Sequence, residues 1–162
     1  MIYKSRGLSR IIDSVDALRR VIDLVPSPRN GITFCQGTVS AMGVSLPDAA
    51  RLLSDRVHFV HFRDVVGTVP NFVEVFQDQG QTNMLGMLRV WSELGYTGPI
   101  RPDHVPLLEG EKGHPVGEKA AGYNVNGRAS GYTMAGRTYA VGYMQGLFEA
   151  VWGKNEIAKF NL

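Results

Sequence analysis

Apolar residues recur along this chain at two alternating periods, and the alternation itself is the first structural signal. Val15, Leu18, Val21, Ile22 and Val25 fall at helical spacing from about Ser14 to Val25, with Ser14 placed to cap the helix and Pro26-Ser27-Pro28 to stop it. Asn30-Gly31 predicts a turn, and Ile32-Thr33-Phe34-Cys35 a short buried strand ending at Gln36-Gly37. Residues 38–43 read as a loop, after which Pro47 suits the first turn of a short helix through Ala50 and Leu53. Val57 to Phe62 is the clearest strand, rich in β-branched and aromatic residues, with His61 and Arg63 on the face of Phe59 and His58 on the other.

The stretch from Asp64 to Gln81, broken by Gly67, Pro70 and Gly80, reads as irregular and too long for a plain connection, which predicts a functional loop. Thr82 is placed to cap a helix from Asn83 to Leu94, whose Leu85, Leu88 and Trp91 form a stripe and whose end Gly95 marks. Ile100 centres a further short strand. Residues 105–130 read as irregular, and a last helix from about Arg137 to Trp152 sets Ala140, Met144, Leu147, Phe148 and Val151 on one side. Helices alternating with brief apolar strands predict a parallel α/β architecture, in which active groups lie at strand C-termini. A doubly wound sheet and a (β/α)8 barrel both fit, but only three strands are visible and a complete barrel takes about 250 residues.

Composition changes this picture little. The chain has 162 residues, 44% hydrophobic and 20% charged, enough for one domain with a core. Its net charge of +2 is scattered, so no basic stripe points to nucleic acid or an anionic membrane. No apolar run approaches the roughly 20 residues of a membrane helix, and the opening lacks the apolar stretch of a signal peptide, so a cytoplasmic location is expected. The single cysteine, Cys35, is either a buried apolar residue or a thiolate with a chemical task.

Chemistry-bearing residues gather at the three strand ends. Cys35, His61 and Asp103 offer thiolate, imidazole and carboxylate, a set suited to a divalent metal, while each alone also reads as a core thiol, a structural histidine and a turn residue. His104, next to Asp103, could border the site as a general acid or base because Val105-Pro106 bends the chain. Arg63 either clamps a carboxylate bidentately or pairs with Asp64 or a helix end. The pattern Gly-Tyr-x-x-x-Gly-Arg occurs twice, from Gly122 and from Gly131, with glycines that would let backbone pass close to a ligand or another element.

Five blocks carry a resemblance. Ser27-Pro28-Arg29-Asn30-Gly31-Ile32-Thr33-Phe34-Cys35-Gln36-Gly37, His58-Phe59-Val60-His61-Phe62-Arg63-Asp64, Asp78-Gln79-Gly80-Gln81-Thr82-Asn83-Met84, Arg101-Pro102-Asp103-His104 and Gly131-Tyr132-Thr133-Met134-Ala135-Gly136-Arg137 resemble, in order, the C-terminal half of D-mannonate dehydratases. The resemblance implies the C-terminal part of a xylose-isomerase-like (β/α)8 TIM barrel, three to four β/α units, with residues 1–162 as one partial domain lacking the N-terminal half of the barrel. It implies dehydration of D-mannonate to 2-keto-3-deoxy-D-gluconate with a divalent metal, usually Mn2+, with Fe2+ and Co2+ as further candidates. Cys35, His61 and Asp103 are then the metal ligands, His104 and Tyr132 take part in proton transfer, and Arg63 and Arg101 bind substrate. Two features depart from the family: its fourth ligand, a histidine on an earlier strand, has no counterpart here, and the longer segment between His104 and Tyr132 makes Tyr123 a rival for the tyrosine role. Open sheet edges would lead such a chain to pair with its own copies or with a complementing N-terminal half. A sugar isomerase or epimerase on the same barrel, and a half-barrel that binds a sugar acid or a partner subunit without turnover, are the competing expectations.

Overall fold

Three apolar runs, too short to stand alone, become a sheet by pairing with one another. In the computed structural model, which describes residues 11–106, 108 and 133–154 together with the backbone of a few short pairings outside them, β1 (Ile32–Cys35), β2 (Val57–His61) and β5 (Ile100–Arg101) form a parallel sheet in the order β1-β2-β5. The backbone pairings outside those ranges are antiparallel, joining Lys4–Ser5 to Leu8–Ser9, and Arg128–Ala129 to both His114–Pro115 and Asn124–Val125.

One face of the sheet is apolar and covered. Phe34, Val60, Phe62 and Ile100 are buried there under α1 (Val15–Leu24), α3 (Leu46–Leu53), α4 (Met84–Glu93) and α5 (Met134–Trp152), which contribute Ile22, Leu53, Leu88, Trp91 and Phe148 to the same core. Phe34 meets Trp91 edge to face with centroids 5.1 Å apart, a favourable aromatic geometry at the centre of the core. Side chains alternate across a strand, so Thr33, Cys35, Phe59, His61 and Arg101 all point to the opposite face, where Thr33 is exposed. Helices on a single face are what a barrel wall has; a doubly wound sheet carries them on both.

Three readings of the sequence change at this level. Of the residues 38–43 read as a loop, 38–41 belong to the short helix α2 (Gln36–Ala41), whose Gly, Thr, Val and Ser composition is poor for a helix. Burial of Val39, Ser40 and Ala41, not propensity, holds it. The supposed loop from Asp64 is largely an antiparallel hairpin of β3 (Asp64–Thr68) and β4 (Asn71–Val75), turned at Val69-Pro70 through a cis peptide. Its proline and glycine read as breakers, yet they occupy the turn and a position at φ 94° that glycine tolerates. Finally, α4 is capped by Asn83, whose Oδ1 accepts from the Gly86 amide at 2.8 Å, and not by Thr82.

The helix predicted from Ser14 is present as expected, with Ser14 Oγ accepting from the Ala17 amide. The last helix begins three residues before Arg137. Gly136 lies against the segment that follows His104: a Cβ there would sit 2.9 Å from Val105 Cγ2 and 3.0 Å from the Pro106 carbonyl oxygen. The glycine of the second Gly-Tyr-x-x-x-Gly-Arg copy thus does permit close approach of another element. Among the described residues, no helix is long and apolar enough to cross a membrane.

Candidate metal centre

Register builds the site. Cys35 is the Cα partner of His61, and His61 of Arg101, so the last residues of the three strands form one row across the sheet. Two residues beyond Arg101 on the same face lies Asp103, and two beyond His61 lies Arg63. Cys35, His61 and Asp103 bring one ligand atom each to within 4.8 Å of one another, and His61 Nδ1 is 3.3 Å from Asp103 Oδ2. An ion about 2.0–2.3 Å from each donor would hold them roughly 3–4 Å apart, so this mixed sulfur, nitrogen and oxygen set fits one divalent ion with little adjustment. These three expected ligands are therefore brought together.

The surroundings favour ionised sulfur. Burial alone would raise the Cys35 thiol, but a hydrogen bond with His61, the Arg63 charge and hydrogen bonds with Thr38 and Arg63 outweigh it and leave the thiol below its ordinary value. A metal-binding thiolate needs that direction of shift.

Arg63 is only 5% exposed and does not pair with Asp64, whose carboxylate accepts instead from the Val65 and Thr82 amides. Its guanidinium donates to Glu74 through Nε to Oε1 and through Nη2 to Oε2 at 2.6 Å, while Nη1 points to Cys35 Sγ at 3.5 Å and Thr38 Oγ1 at 3.2 Å. The fork of Arg63 is closed on a protein carboxylate, with its remaining nitrogen on the sulfur. Gly37 makes room for this, since a Cβ there would stand 2.9 Å from Arg63 Cγ.

Arg101 is an accessible cation beside these residues. Its side chain is 41% exposed, with Nη2 3.4 Å from His61 Nε2 and 3.6 Å from Asp103 Oδ1, and its guanidinium carbon lies 5.8 Å from the centroid of the Phe59 ring. Phe59 also meets the His61 ring edge to face. His104 sits at the border with Nε2 3.7 Å from Asp103 Oδ1, and burial holds its imidazole below the ordinary histidine value despite the Asp103 charge. Tyr132 and its rival Tyr123 lie outside the described residues. His58 is exposed on the other side of the strand, its ring against Gly31.

Glu74, Thr38 and Phe59 belong to this neighbourhood and were not singled out from sequence. Phe59 was legible as the residue two before His61 on the same face. Glu74 could have been found as the one acid in the run Asn71-Phe72-Val73-Glu74-Val75, had the hairpin been recognised.

Comparison with known proteins gives the chain a family and its fold solved relatives. The family model described as D-mannonate dehydratase (UxuA) matches residues 2–158. Mannonate dehydratase 2 of Halalkalibacterium halodurans is 37% identical over 151 residues, spanning 90% of this chain and 39% of that protein. The mannonate dehydratase of Enterococcus faecalis is 37% identical over 152 residues, spanning 91% and 38%. A crystal structure of mannonate dehydratase from Streptococcus suis serotype 2 superposes with a TM-score of 0.75 at 26% identity, over 91% of this chain and 40% of that one. A xylose isomerase domain protein from Planctomyces limnophilus shares the fold at a TM-score of 0.60 and 19% identity. The chain thus spans about two fifths of the length of these relatives.

Proposed function

This chain belongs to the D-mannonate dehydratase family, and from that premise we propose that it forms the metal-bearing part of a hydro-lyase acting on D-mannonate. The observation that carries the proposal is the convergence of Cys35, His61 and Asp103 at three successive strand ends. These residues would hold a divalent ion, Mn2+ in the first instance, which supplies a Lewis acid beside the substrate's carboxylate and neighbouring hydroxyl.

The chain's own residues would do the rest. Arg101, exposed and cationic at the rim, orients the substrate carboxylate; Arg63, closed on Glu74, serves the thiolate side of the site. Removal of the C2 proton and departure of the C3 hydroxyl as water leave an enol that tautomerises to 2-keto-3-deoxy-D-gluconate. That reaction needs one group to take a proton at C2 and one to give a proton to the leaving oxygen. His104 and Tyr132 are the proposed pair. His104 is placed for this by its position, with Nε2 3.7 Å from Asp103 Oδ1 at the border of the cluster. Further strands that close the barrel around this sheet complete the working site, which we place in the cytoplasm.

The test is turnover of D-mannonate by the purified chain with Mn2+ under reducing conditions, following the 2-keto acid. Product that disappears in Asp103→Ala supports the proposal. Consumption of substrate to an isomer or epimer without loss of water would replace it with the isomerase reading.

A further inference from the structure

The arginine at the centre of the site is held by a carboxylate that is itself tied into the backbone around Cys35. Glu74 lies on β4, opposite Val65 in the hairpin register, and its side chain is 25% exposed. The hairpin is fastened to α2, the helix that starts directly after Cys35: the Val69 amide donates to the Ala41 carbonyl at 2.8 Å, and Gln81, whose Oε1 accepts from the Gly67 amide at 2.9 Å, donates through Nε2 to Ser40 Oγ at 2.8 Å. The chain therefore closes a ring from Cys35 through α2 and the hairpin to Glu74, from Glu74 to Arg63, and from Arg63 Nη1 back to the Cys35 sulfur. A bidentate grip fixes both the position and the plane of a guanidinium, so Nη1 has little freedom to leave the sulfur.

A hydrogen bond donated to a thiolate withdraws electron density from it. Soft ions such as zinc gain most from a strongly donating thiolate, and harder ions such as manganese gain least, so a restrained thiolate narrows the advantage of the soft ion. We propose that Glu74, acting through Arg63, tunes Cys35 as a metal ligand and tilts the centre toward harder divalent ions over zinc. Glu74 is a positioning residue in this account, and the inference rests on the metal reading given above.

The experiment measures Mn2+ and Zn2+ affinity of the full chain, wild type and Glu74→Gln, together with the near-ultraviolet thiolate-to-metal band of the Co2+-loaded protein. Outer partners of metal ligands commonly alter affinity about 10- to 100-fold. In Glu74→Gln, the ratio of zinc to manganese affinity rises by at least about 10-fold and the cobalt band moves to lower energy. Arg63→Lys, which keeps the charge but cannot grip Glu74 and reach the sulfur together, gives the same direction and serves if the first variant does not fold. Equal losses for both ions, or no change, with an unmoved cobalt band in a folded variant would overturn the proposal while leaving the metal centre in place. A wild-type chain that binds neither ion would overturn both.

Discussion

At the scale of single residues, the cluster depends on small side chains that leave space as much as on the larger ones that fill it. Gly37 stands where any larger residue meets the Arg63 stem, and Arg63 is too deeply buried to step aside. Gly37→Ala is therefore expected to destabilise the chain by about 1–3 kcal/mol, read from a chemical unfolding midpoint, as overpacking of a filled site commonly does. Cys35, His61 and Asp103 were legible in the sequence because each closes or follows an apolar run, and register then brings them together. The partner of Arg63 was not legible. Its nearest acid in sequence is Asp64, but successive strand residues point to opposite faces, so the adjacent carboxylate turns away and Glu74 arrives from another strand.

Among the elements, periodicity identified the long helices and the central strands, while its errors came where tertiary packing or turn chemistry overrides local preference. The short helix α2 has a composition that argues against it, and only its burial beside the sheet makes it form. In the hairpin, Val65, Val66, Val73 and Val75 gave a strand signal that the glycine and proline between them obscured. Helix α4 illustrates a finer miss, since Thr82 and Asn83 are adjacent and both cap helices well. Asn83 is the one whose side chain reaches the first turn. Asn83→Ala is expected to cost about 1 kcal/mol of stability in thermal or chemical unfolding.

For the molecule as a whole, the alternation of helix and strand left the barrel and the doubly wound sheet equally open, and the family resemblance was what favoured the barrel. The structure supplies the physical reason. Its helices cover one sheet face with a continuous apolar core, and the other face bears Thr33, Phe59 and Arg101 leading up to the cluster at the strand ends. Such a sheet places its chemistry at one rim, where three strands each deliver one donor to the same point. The most direct test of that claim is a titration of the full, reduced chain with Mn2+, following the electron paramagnetic resonance signal of the free ion. The account predicts that one equivalent per chain is taken up, and that Asp103→Ala, with an unchanged circular dichroism spectrum, leaves the ion free. A wild-type chain that leaves all the manganese in solution, or a variant that binds it as well as the wild type, would contradict it.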